Sequence, residues 1–267
     1  MKNVLVLLHD DVGQEARFQA ALDLARGIGG HLTCVHVTVL PLLAGEYAAV
    51  GGSGLLMEDE CAREESNRTR IEARLNAEDV PFDWLEETGF LTPSVLDAAA
   101  LADIVVLNRE LDTITYPDMV ELVGDTVIRS RKPVLAVPEQ TRRLDLFASA
   151  LIAWDGSPEA EAAMRAAVPL LSLATDVILV EVADGSIRTP AEGAAEYLSR
   201  HGINPEIRRR SNAFDIPSSV ILDMIDETRA EYLVMGGFGH SRFVEAAFGG
   251  VTRRMLKECP VPLFLTH

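Results

Sequence analysis

The stretch Met235 to Arg254, MGGFGHSRFVEAAFGGVTRR, holds glycines spaced Gly236-x2-Gly239-x9-Gly249, then Gly250-Val251-Thr252 where a new helix reads as starting. Glycine permits positive φ and close backbone approach to a ligand. The start of a helix offers unpaired N–H groups and a partial positive charge. Together these point to an anion site at Gly249 to Thr252, to which the Thr252 hydroxyl adds a donor. Gly236 and Gly239 would let the loop fold over a nucleoside, and Met235 either touches a base or ends a buried strand. Asp155, in AWDGS, closes an apolar run and could accept a hydrogen bond from a base or sugar. The spacing taken alone fits a tight turn and a helix cap equally well. It is neither a Walker loop, which needs Gly-Lys-Ser/Thr, nor a dinucleotide fingerprint at the first strand.

Other reactive residue types gather less well. His240, Ser241 and Arg242 follow Gly239 and either reach phosphate or form solvated loop. Glu245 is the one acid inside that loop. His9 and His36 end strands of the first half and read as strand-end surface, without a second His or Cys at ligand spacing. The acids around Glu58 to Glu60 and Glu64 to Glu65 read as one face of an exposed helix. Cys34, Cys61 and Cys259 show no metal or redox spacing, and Cys34 reads as core. No nucleophile elbow with a Ser-His-Asp set is present. Trp84 and Trp154 read as packing residues, with Trp154 close enough to Asp155 to line a pocket.

The elements that must position these residues come twice. VLVLLHDDVGQEARFQAALDLARGIGGHLTCVHV from Val4 matches ALIAWDGSPEAEAAMRAAVPLLSLATDVILVEV from Ala150, so that Asp10 faces Asp155 and His36 faces Glu181, both at an offset of 145. ADIVVLN matches AEYLVMG, and KPVLAV matches VPLFLT. In the second half the pattern predicts strands at Ala150–Trp154, Asp176–Val182, Glu206–Arg210, Glu231–Met235 and Pro262–Thr266. Helices are predicted from Ser157 as N-cap to about Leu173, over Thr189–His201 opened by a capping box, over Pro217–Arg229, and over Gly250–Glu258. The first half adds a loop over Pro41–Leu56 and a charged helix from about Glu58 to Asn76. Residues 1–139 and 148–267 are read as two domains, with Glu139–Phe147 as linker. Alternating strands and helices imply an α/β fold with parallel sheets and helices on both faces.

The 267 residues are 48% hydrophobic and 24% charged, which suits a filled globular core. The apolar N-terminal run reads as a buried strand rather than a leader, and no run is long enough for a membrane span, so a cytoplasmic setting is expected. A net charge of −17 argues against a nucleic-acid surface. EIRRRS reads as a solvated strand end.

On the motifs GGFGHSRFVEAAFGGVT, AWDGS and CPVPLFLTH, the second half resembles the universal stress protein family, and the likeness extends over nearly the whole chain as a tandem pair. The resemblance implies two open parallel five-stranded sheets of order 3-2-1-4-5. It also implies an ATP-type ligand, with or without Mg, or another adenine nucleotide. The base would lie near Asp155 and Val182, and the phosphates on Gly239 and Gly249 to Thr252. Stress-response roles and pairing of the domains through their last strands, Val134–Val137 near Leu263–Thr266, are implied as well, and homodimers are a further expectation.

Two departures bear on this. The family's Ser/Thr after the third glycine is Gly250 here, so a phosphate-facing hydroxyl is missing, which is worth roughly 1.5–3 kcal/mol. In the first half Asn108 and Leu111 replace Gly236 and Gly239, and Gly124-Asp125 puts an acid at an expected helix start, so that half is read as having lost the nucleotide. The resulting expectation is a non-enzymatic regulatory module that binds nucleotide in its C-terminal half and an unidentified protein partner. A slow ATPase and a nucleotide-free interaction scaffold are the alternatives.

Overall fold

The computed structural model describes residues 1–39, 52–111, 118–182, 187–210, 216–239 and 250–267, with side chains left out at 52–57, 59 and 60. The first half runs β1 (Asn3–Leu8), α1 (Gln14–Ile28), β2 (His31–Val39), α2 (Gly52–Leu75), β3 (Phe82–Gly89), α3 (Leu91–Ala98), β4 (Ile104–Asn108), α4 (Met119–Asp125) and β5 (Val134–Val137). The second runs β6 (Ala150–Trp154), α5 (Pro158–Leu171), β7 (Val177–Val182), α6 (Ala191–Ser199), β8 (Glu206–Arg210), α7 (Pro217–Thr228), β9 (Tyr232–Gly236), α8 (Gly250–Glu258) and β10 (Leu263–Thr266).

The strands form one sheet of ten in the order β3-β2-β1-β4-β5-β10-β9-β6-β7-β8. Each half thus has the expected order 3-2-1-4-5, and all pairings within a half are parallel. The two join where β5 and β10 pair antiparallel, with Leu263 opposite Ala136 and Leu265 opposite Val134. The expected pairing of last strands is therefore present within the chain, and it merges two five-stranded sheets into one. Val134, Leu135, Ala136, Leu263, Phe264 and Leu265 are all fully buried at this seam. The side chains larger than alanine among them each contribute about 1.5–3 kcal/mol by leaving water. The outer edges are blunted with charge instead. On β8, Arg208 pairs with Glu206, Arg209 with Glu181 and Glu192, and Arg210 with Glu227.

One apolar layer under α1, α5 and α6 includes Val6, Leu135, Ile152 and Phe264. The other, under α3, α4, α7 and α8, includes Leu5, Val134, Leu151 and Leu265. Both layers run through the two halves. Cys34 and Cys259 are buried in them, and Cys61 is exposed on α2. Burial pushes the Cys259 thiol up to about 11, against a smaller opposing pull from the Val261 backbone and the Arg109 charge. The linker is not free. Leu144 and Leu146 are buried, the Leu144 N–H donates to Asp23 at 2.9 Å, and Leu146 fills the space that a Cβ on Gly27 would need.

Local chemistry explains most helix starts. Ser157 caps α5 by accepting from the Ala160 N–H at 3.2 Å, and Pro158 takes the first helical position. Pro217 does the same for α7. Three expectations change. Helix α2 begins at Gly52, inside the stretch expected to be loop. Helix α6 is preceded by Pro190, whose side chain has no acceptor, and the Ala191 N–H donates to the Glu181 carboxylate at 2.8 Å instead. Gly124-Asp125 does not start a helix. Asp118 accepts from the Val120 and Glu121 N–H groups, so α4 begins at Met119 and continues as a π-turn over Thr126–Ser130. Among the described residues, no helix is long and apolar enough to cross a membrane.

Candidate functional site

Strands β6 and β9 are neighbours, and the chain leaves them in opposite directions across the sheet. Beyond the carboxyl ends of strands at such a reversal an open α/β sheet leaves a crevice. Here it is a cavity of about 370 Å³, within the range of small-ligand sites. Of the residues expected at the site, Asp155, Val182, Met235, Gly236, Gly239, Gly250, Val251 and Thr252 all line it. Gly249 lies outside the described residues, as do His240, Ser241, Arg242 and Glu245.

Each wall follows from a strand or helix end. Asp155 ends β6 and sits on a tight turn. Its Oδ1 accepts from the Ser157 N–H at 2.9 Å, and its carbonyl accepts from the Arg188 N–H at 2.8 Å. Gly156 follows with φ +69°, and a Cβ there would lie 2.2 Å from the Thr189 nitrogen, so only glycine fits. The Trp154 bond to Thr189 anchors the same turn from the other side. Met235 is 5% exposed and Thr252 is 6% exposed, so both reach the cleft from its walls.

The glycines do something other than the spacing suggested. A Cβ on Gly236 would lie 2.4 Å from the Glu159 carbonyl carbon, and one on Gly239 would lie 2.7 Å from the Glu159 carboxylate carbon. Their bare faces make room for the first turn of α5. Gly250, in contrast, has open space around the Cβ position.

The cleft also takes in residues that the spacing did not single out: Ser157, Glu159, Val180, Pro217, Ile221 and Phe238. Phe238 is buried with φ +66°, a conformation costly for a bulky side chain. Its place between Gly237 and Gly239 was the available signal. Glu159 was legible only as a helix-start acid. Its place in the cleft depends on how α5 packs on β9.

At the matching place in the first half Arg17 bridges the carboxyl ends of β1 and β4. Arg17 is fully buried. It donates to the Leu7 carbonyl at 3.0 Å, to the His9 carbonyl at 3.1 Å and to both Asp11 oxygens at 2.9 Å, and it bonds to Asn108. Asn108 in turn donates to the Val137 carbonyl at 3.1 Å. At the offset of 145 the counterpart of Arg17 is Ala162, which has no group to make these bonds.

Beside it, His9 and His36 are buried at 3% and 4% exposure, not on the surface. Glu64, expected on an exposed helix face, is the reason. It is fully buried, with His9 Nδ1 at 2.7 Å, His36 Nε2 at 3.0 Å and the Asp10 N–H donating at 3.0 Å. Burial pushes the Glu64 carboxyl up, but the bonds from His36 and His9 outweigh it and hold it well below the usual carboxylate range. Among the described residues no group of three His, Cys, Asp or Glu is arranged to hold a metal ion.

A tandem doubly wound α/β protein, with a ligand-sized cleft at the switch point of one half and a buried arginine bridging the strand ends of the other, is the class that this fold and site define. Residues 147–267 match the family model described as universal stress protein family. Through its C-terminal half the chain thus matches the universal stress protein family. It is similar over its length to the universal stress protein Slr1230 of Synechocystis, at 23% identity over 98% of this chain and 99% of that one. A shorter stretch, 28% of this chain and 26% of the relative, is 33% identical to the universal stress protein Rv2319c of Mycobacterium tuberculosis. Among solved structures, a universal stress protein from Archaeoglobus fulgidus has the same fold, with TM-score 0.76 and 16% identity over 99% of this chain and 97% of that one.

Proposed function

We propose that the cleft of the C-terminal half binds ATP or a related adenine nucleotide, with or without Mg, and that the protein is a stress-response regulatory module rather than an enzyme. In this reading residues 148–267 are the binding domain and residues 1–139 a domain that has lost the ligand. The base lies against Asp155, Val182 and Met235. The phosphates lie against Gly239 and the backbone of Gly249 to Thr252 at the start of α8. The observation that carries it is the cavity of about 370 Å³, which gathers every described residue of that set.

One observation favours a second reading, a nucleotide-free scaffold. The Glu159 carboxylate sits against Gly239, at the end assigned to phosphate, where it repels anions.

Calorimetry with ATP decides between them. The expected result is saturable binding that weakens about tenfold in Asp155→Asn, which keeps the acceptor for the Ser157 N–H but loses the charged bond to the ligand. No heat from ATP or adenosine, together with no small molecule released from the purified protein on denaturation, would leave the scaffold reading standing.

A further inference from the structure

Helix α8 is nine residues long, about 13 Å at 1.5 Å per residue. Its first turn, Gly250 to Thr252, lines the cleft. Its last turn is held by the other half of the molecule. Arg109 Nη1 donates to the Lys257 carbonyl at 2.6 Å, and the Glu110 N–H donates to the Leu256 carbonyl at 3.0 Å. These are carbonyls that a helix leaves without internal partners, and a cation there complements the helix dipole. Arg109 is 9% exposed and is braced in place, since its N–H donates to the Val137 carbonyl at 3.0 Å.

The side-chain bond of the clamp runs one way. Asn108 ends β4 as Gly236 ends β9, so the counterpart of Arg109 is Gly237. The Gly237 N–H donates to the Thr266 carbonyl at 2.9 Å, just as Arg109 does to Val137. Having no side chain, Gly237 cannot return the clamp to the first half. The segment that replaced the glycine loop of the first half has thereby become the anchor of the cleft helix of the second.

We propose that Arg109 is a positioning residue: the first half sets the place of α8 through its C-terminal carbonyls, and occupancy of the cleft at the other end of α8 is felt at the joint between the halves. The identity of the ligand rests on the nucleotide reading above, but the coupling does not.

The test uses the full chain and has a ligand-free arm. In Arg109→Ala, amide hydrogen exchange at Arg254 and Met255, which bond back into the first turn of α8, is expected to quicken about tenfold, a coupling of ordinary size. Arg109→Lys, which keeps a cation and a donor, is expected to stay within about threefold of wild type on the same scale. With ATP as probe, Arg109→Ala is expected to bind about tenfold more weakly, and ATP is expected to slow exchange of the Glu110 amide in wild type, by linkage. Unchanged exchange at Arg254 and Met255 in a folded Arg109→Ala protein overturns the proposal, whatever ATP does. Wild type that binds no ATP overturns the nucleotide reading alone and leaves the exchange result to decide the coupling. Should Arg109→Ala fail to fold, Arg109→Met, which fills the space but donates no hydrogen bond, takes its place, and wild-type exchange in that variant overturns the proposal equally.

Discussion

Gly250 is the residue at which this chain departs most from what its cleft is expected to hold. In the nucleotide reading a hydroxyl at that position would face the anion end, and among the described residues nothing lies within 4 Å of the Cβ that Gly250 lacks. Gly250→Ser should therefore be accommodated without strain and should tighten ATP binding about tenfold, the lower end of a hydrogen bond to a charged group. Calorimetry of the two proteins side by side checks it. No gain in affinity would mean that the phosphates, if bound, lie elsewhere. Gly236 makes the contrasting case. Its Cβ would strike the backbone of Glu159 and Ala160 at 2.4 and 2.5 Å. Two glycines that flank one loop thus sit in different surroundings, open space at Gly250 and a packed helix at Gly236, and spacing does not tell them apart.

At the scale of elements, the first half differs from the second chiefly in α2. This helix brings Glu64 and Asn67 onto the carboxyl ends of β1 and β2, where Glu64 meets His9 and His36 and Asn67 pairs with Gln14 at 2.7 and 2.8 Å. Asp10 lies outside this buried group, at 3.8 Å from Arg63 and 3.5 Å from Arg70. Because the folded state lowers the Glu64 pKa, its contribution is fully present above the ordinary carboxylate value near 4.3 and is lost as pH falls below it. Glu64→Gln should cost about 3 kcal/mol at neutral pH, the cost of breaking a buried pair from one side. The gap to wild type should narrow between about pH 5 and pH 3. Urea denaturation across that range measures both. A constant gap would mean that the loss is one of shape rather than charge.

On the scale of the molecule, the seam at β5 and β10 makes two repeats into one body. Both apolar layers cross it without a break, and Arg109 and Glu110 reach over it to α8. Cooperative unfolding should follow. The chain has two tryptophans, Trp84 on β3 and Trp154 on β6, one in each half. Variants carrying a single tryptophan, Trp84→Phe and Trp154→Phe, each compared with circular dichroism on the same protein, should show fluorescence and ellipticity falling in one transition. A fluorescence midpoint well apart from the ellipticity midpoint in either variant would show that the halves melt separately and that the seam is weak.

Periodicity and the internal repeat were enough to read the strands, the order of helices and the doubled plan. Each rests on local alternation of apolar residues and on turn chemistry such as Ser157 followed by Pro158. The residue types of the cleft were legible too, because glycine, a strand-end Asp and a helix start carry their chemistry in their own backbone and side chain. Only the folded molecule decided that His9, His36 and Glu64 are buried together, that Arg17 bridges the ends of β1 and β4, that Glu159 stands in the cleft of the second half, and that Arg109 caps a helix 148 residues further on. The reason is the same in each case. Burial and pairing belong to contacts between segments distant in sequence, and a residue's own neighbours in the chain do not specify which distant groups will meet it.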